Sequence, residues 1–133
     1  PRHHFLIAPP AQAAQALEAH QVPNLSFLPG SVRPIDAFPL CSRQLGKPGF
    51  STFCEALNQG VGLHVVERRD FAEVAALMDG LRRHGHHRVL TRDHLERGDW
   101  QLDLPLNAPE AGPLSQNGAQ RAADALIAVA EAQ

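Results

Sequence analysis

Residues 46–66 read Gly46-Lys47-Pro48-Gly49-Phe50-Ser51-Thr52-Phe53-Cys54-Glu55-Ala56-Leu57-Asn58-Gln59-Gly60-Val61-Gly62-Leu63-His64-Val65-Val66. Two glycines and a proline make a tight loop, and Ser51 or Thr52 then offers an oxygen at the start of a helical run. Gly60 suits the left-handed position that ends helices. Leu63 to Val66 follows at once with strand character. A loop of small residues leading into a helix leaves backbone N–H groups unpaired and pointing outward, with the helix dipole behind them. Such a place favours an anion, above all a phosphate. Glu55 sits about one turn inside the helix, on a face that reaches past a phosphate toward a sugar hydroxyl.

Outward from this stretch, helices and strands alternate. His4 to Ala8 is a short apolar run closed by Pro9-Pro10, and Ala11 to His20 is an alanine-rich helix. Asn24 to Leu28 reads as a second strand, Pro34 to Cys41 as a short helix or turn, and Arg43-Gln44-Leu45 as a third strand. Beyond the central strand, Phe71, Val74, Leu77, Met78 and Leu81 repeat at helical spacing over Asp70 to His84. That pattern predicts a core stripe, with Asp70 as the N-cap. Arg88 to Leu90 is a strand, and Thr91 caps a short helix ending at Gly98. Asp99 to Gln116 is a Pro/Gly-rich surface connection. Asn117 to Ala132 is a final helix with Leu126, Ile127 and Val129 on one side.

Strands that are apolar throughout, alternating with helices, indicate an α/β chain: a Rossmann-like three-layer parallel sheet with helices on both faces. Ligands of such sheets sit beyond the carboxyl ends of the strands, where Gly46 to Thr52 falls. At 133 residues the chain reads as a single domain.

Composition narrows the function. A formal charge of −2 supplies no basic field for nucleic acid, and the absence of Tyr leaves few stacking platforms. No apolar run approaches the roughly 20 residues of a membrane span, and no signal peptide is visible. A cytoplasmic protein is expected. Its cysteines, Cys41 and Cys54, fall in no metal or redox motif and read as buried, reduced thiols. The opening Pro1 suggests a piece excised from something longer.

Further residues fit a family. The glycine loop over Gly46 to Leu57, then Gly60-Val61-Gly62-Leu63, then Arg68-Arg69-Asp70-Phe71-Ala72-Glu73, resembles the C-terminal half of a GT-B glycosyltransferase. That half is the sugar-nucleotide-binding domain of UDP-glycosyltransferases and of the lipid-linked peptidoglycan N-acetylglucosaminyltransferase. The likeness is closest to the glycosyltransferase-like region ahead of the kinase in plant arabinokinases. There a similar loop, an Arg-Arg-Asp segment and a later Gly-x-Trp (here Gly98-Asp99-Trp100) occur in the same order, and Asn117-Gly118 opening the last helix also fits.

The resemblance implies that Gly49, Phe50, Ser51 and Thr52 hold the diphosphate of a UDP-sugar and that Glu55 bonds the ribose hydroxyls. Asp70 and Glu73 fall where these enzymes keep an acidic-plus-amide pair touching the donor sugar, although Glu73 replaces the amide. Such domains begin with a strand and glycine turn facing the phosphates, whereas this sequence starts at what looks like their second strand. The N-terminal acceptor-binding half, which carries the catalytic base in inverting members, is also missing.

Simpler readings stand beside these. The glycine loop is also an ordinary strand-to-helix turn, and Glu55 an exposed helix residue. Lys47 lacks the spacing from an earlier glycine that a P-loop needs. The histidines of His84-Gly85-His86-His87 diverge across a glycine with no carboxylate to complete a metal site, and a cationic helix end explains them more simply. No metal, cofactor or catalytic set is expected. Three functions fit: the donor half of a glycosyltransferase, inactive by itself; a non-catalytic sugar-nucleotide-binding regulatory module; or half of a sugar-nucleotide epimerase. An uncovered sheet edge would favour self-association.

Overall fold

The first two apolar runs pair with each other. Strands β1 (Phe5–Ile7) and β2 (Leu25–Phe27) are parallel, with Leu6 beside Ser26. A computed structural model describes residues 2–8, 22–68 and 70–132. The helix expected over Ala11 to His20, and Arg69, lie outside the described residues. Two compact units are present, Pro1–Ser42 and Arg43–Gln133. In the first, Pro34 opens the short helix α1 (Pro34–Ala37), where its fixed φ suits the first helical position and its missing N–H costs nothing. A 3₁₀ turn, Phe38–Leu40, follows, and Ala37 and Phe38 are buried.

The second unit is built on β3 (Arg43–Gly46), α2 (Phe50–Asn58), β4 (Gly62–Val66), α3 (Val74–His84), β5 (His87–Leu90), α4 (Arg92–Glu96) and α5 (Gly118–Glu131). Its three strands run parallel in the order β3-β4-β5. The chain is thus mixed α/β with two small parallel sheets, where the sequence pattern pointed to one. A Rossmann-like arrangement is compatible with this topology.

Both crossovers in the second unit connect adjacent parallel strands, and the right-handed rule puts α2 and α3 on the same face. Phe53 and Ala56, one turn apart on α2, are buried, and Leu81 of α3 is fully buried. Ala56 has no bulk beyond its Cβ, so α2 approaches β4 closely. Leu63 and Val65 of β4 are buried on this face, each contributing about 1.5–3 kcal/mol by leaving water. At Gly85 a Cβ would collide with side-chain carbons of Leu57 and Leu81, so a glycine there lets the two helices meet.

Chain punctuation follows local chemistry. Gly60 takes φ +69 and ends α2, and Gly98 takes φ +73 after α4. Thr91 Oγ1 accepts from the His94 N–H while the His94 ring accepts from the Thr91 N–H, a reciprocal N-cap. Other expectations are corrected. Helix α3 starts at Val74 with Glu73 as its N-cap, not Asp70. Phe71 lies ahead of the helix, 41% exposed, with the Arg68 guanidinium 5.0 Å from its ring centroid, so only Leu81 of the stripe is fully buried. Cys54 is exposed on α2 and Cys41 half-buried, and both are free thiols. Leu126, Ile127 and Val129 of α5 are exposed. Among the described residues no helix is long and apolar enough to cross a membrane.

Candidate functional site

Because β3, β4 and β5 are parallel, their carboxyl ends Gly46, Val66 and Leu90 share one edge of the sheet. Three residues separate β3 from α2, so the N-terminus of α2 opens at that edge. Gly49 is the N-cap, with φ −156 and ψ 130 and no side chain to accept a bond. The first hydrogen bond of the helix runs from the Phe53 N–H to the Gly49 carbonyl at 2.9 Å. The N–H groups of Phe50, Ser51 and Thr52 therefore have no acceptor among the described residues. Ser51 and Thr52 sit within the first turn and do not cap it, which corrects the simplest reading of their hydroxyls. Ser51 is exposed, Thr52 half-buried, and Phe50 is 67% exposed beside them.

At the root of the loop, Gln44 folds over Gly46, where its Nε2 lies 2.5 Å from the position of an added Cβ. Its Oε1 is buried without a donor among the described residues. Glu55 is half-buried on α2, and no hydrogen bond or ion pair engages its carboxylate among the described residues. Lys47 is exposed in the loop.

The ends of the other two strands add charge. Arg68, just past β4, donates from Nε to Asp70 Oδ1 at 3.2 Å. The Asp70 backbone N–H, then Arg68, hold the Asp70 carboxyl below the usual carboxylate range, and Arg92 at the start of α4 adds to the effect. Asp70 thus pairs with Arg68, which favours its ionised form. Glu73 is exposed at the start of α3. The carboxyl edge so gathers three unpaired backbone donors, Lys47, Arg68 and Arg92, which suits an anion.

The histidine run does not converge. His84 Nδ1 donates to the Gly112 carbonyl at 2.9 Å, His87 Nδ1 donates to the Gly85 carbonyl at 2.9 Å, and His86 is exposed. Among the described residues no three metal-ligating side chains gather.

A second polar cluster escaped the sequence reading. On the sheet face away from α2 and α3, Arg43, His64 and Arg88 stand on three adjacent strands, with His64 paired to Leu45 and to Arg88 in register. Arg43 Nη1 donates to His64 Nε2 at 2.9 Å and to the Leu104 carbonyl at 3.1 Å. His64 Nδ1 donates to the Trp100 carbonyl at 3.1 Å. Arg88 donates to Gln101 Oε1 at 3.0 Å and to the Pro105 carbonyl. The signal available was one histidine in the middle of an otherwise apolar strand, which must be satisfied when buried.

No family model, curated protein or solved structure matches the chain.

Proposed function

We propose that this chain is the donor-binding half of a GT-B glycosyltransferase of the UDP-glycosyltransferase type, working in the cytoplasm. The observation that carries the reading is the N-terminus of α2: three first-turn N–H groups without acceptors among the described residues, a side-chain-free N-cap, and a place at the carboxyl edge of a parallel sheet. The resemblance of the glycine loop and of the Arg68 to Glu73 segment supports the same choice of ligand. In this reading the second unit belongs to a Rossmann-like, three-layer fold.

The Phe50, Ser51 and Thr52 amides, with the Gly49 turn, bind the diphosphate. As the glycosidic bond to UDP breaks, negative charge accumulates on that diphosphate, and preoriented amides stabilise it without reorganising. Glu55 accepts from the ribose hydroxyls. Asp70 and Glu73 face the sugar, with Asp70 kept ionised by its own amide and Arg68. A non-catalytic sugar-nucleotide-binding module would use the same site, and turnover separates the two.

Titration calorimetry with UDP, uridine and UDP-sugars tests the reading. UDP should bind at least tenfold more tightly than uridine, since the amides contact phosphate alone. Equal affinity for the two, or no binding to the folded chain, overturns it.

A further inference from the structure

We propose that His64 is an acid-operated latch that holds segment 100–105 against the sheet when neutral and releases it when protonated. The inference is independent of the nucleotide site.

Four hydrogen bonds reach the segment from the Arg43, His64 and Arg88 cluster, and the Trp100 indole also donates to the Leu95 carbonyl at 3.0 Å. The four are His64 to the Trp100 carbonyl, Arg88 to Gln101 Oε1, Arg43 to the Leu104 carbonyl and Arg88 to the Pro105 carbonyl. The bond to Arg43 fixes the protonation of His64. A guanidinium only donates, so Nε2 must be the bare acceptor and Nδ1 must carry the hydrogen. Adding a proton to Nε2 sets two donors against each other and adds a third positive charge beside two half-buried guanidiniums.

Among the described residues the charges that act on the His64 ring are both positive. The charged side chain facing His64 from β3 is Arg43 and the one from β5 is Arg88, while His87 alternates to the opposite face. The charged groups of α2 and α3 (Glu55, Asp79, Arg82, Arg83 and His84) lie on elements across the sheet. On the covering side, Asp99 and Asp103 are exposed. Burial first, then Arg43 and more weakly Arg88, push the imidazole below its ordinary value, against the opposing pull of the Trp100 carbonyl. The segment is also poised to leave. Gln101 holds φ 52, in the left-handed region that a non-glycine residue enters at a cost, and Arg88 Nε is buried without a partner among the described residues.

The sign follows from linkage. A folded-state value below the unfolded one means that the closed latch binds fewer protons, so closure is fully favoured above about pH 6.5 and weakens as the pH falls below it. Measured on the whole chain, amide exchange at residues 101–104 and 106, corrected for its intrinsic pH dependence, should accelerate between pH 7.5 and pH 5. The gain is at most about thirtyfold, the ceiling that one histidine with an ordinary value near 6.5 can supply. Fluorescence of Trp100, the single tryptophan, should change over the same range while far-ultraviolet circular dichroism stays constant. His64→Gln keeps an acceptor for Arg43 and cannot titrate, so it should flatten both responses. Should that variant not fold, nitrogen-15 spectra of the native chain at pH 7.5 must show His64 as the neutral Nδ1–H tautomer, titrating with the Trp100 signal. A different tautomer, unchanged exchange and fluorescence down to pH 5, a transition that survives in His64→Gln, or global unfolding in step with it would overturn the proposal.

Discussion

Arg43 and His64, on adjacent parallel strands, are joined by a 2.9 Å hydrogen bond from Nη1 to Nε2. A cation in a fixed donor geometry thereby sets the tautomer of a buried imidazole, and that tautomer points its remaining N–H at the Trp100 carbonyl. One strand pairing thus determines where residues 100–105 can sit.

Replacing Arg43 with Met keeps the bulk of its apolar stem and removes both donor and charge. The His64 value should rise, because Nε2 becomes free to take a proton and one of two flanking positive charges is gone. It should remain below the ordinary value, since burial is its largest cause and persists. Proton-detected titration of the histidines checks this. The Leu104 carbonyl also loses its charged donor, so urea unfolding should show a loss of about 1.5–3 kcal/mol.

Gly49→Asp separates stability from binding. The cap already has extended φ and ψ, which any residue adopts, and only the acceptor is missing. The new carboxylate should take a first-turn N–H and complement the helix dipole, stabilising the chain by about 0.3–1 kcal/mol. It should also occupy and repel the phosphate site, so UDP affinity should fall at least tenfold. Unchanged UDP binding in this more stable variant would move the phosphate away from α2.

Glu55→Gln should weaken UDP more than pyrophosphate, because the carboxylate accepts from ribose hydroxyls and makes no contact with phosphate. A charge-assisted hydrogen bond of this kind contributes roughly 1.5–3 kcal/mol. Calorimetry with both ligands decides. Equal affinity of variant and native chain for UDP would return Glu55 to the role of a half-buried helix residue.

The chain by itself should release no UDP from a panel of UDP-sugars, with or without candidate acceptors. Near the α2 N-terminus the described residues supply anion donors and no base positioned to activate an acceptor. A coupled assay for UDP release tests this. Turnover at an enzymatic rate would point to Asp70 or Glu73 as the base and would remove the half-enzyme reading.

Much of the second unit was legible from local signals. Gly60, Thr91 and Gly98 marked helix ends because each acts through its own dihedrals or its own side chain within one turn. The α2 N-terminus was legible for the same reason, although Gly49 rather than Ser51 or Thr52 forms the cap. Asp70 was read as a cap from spacing alone. Competition between the Val74 turn and Arg68, which takes both the Asp70 carboxylate and the Phe71 ring, moved the cap of α3 three residues along, from Asp70 to Glu73.

By itself the sequence determined the alternation of strands and helices, the loop that exposes the first-turn amides of α2, and the parallel character of the strands, while the split into two sheets came from the structure. These rest on periodicity, glycine conformation and the short reach of a strand-to-helix turn. Tertiary structure alone decided that Arg43, His64 and Arg88 share a face, that His64 is the Nδ1–H tautomer, and that residues 100–105 cover it. The three side chains come from strands about twenty residues apart in the chain. Their meeting depends on register, and a slip of one residue would send His64 to the opposite face.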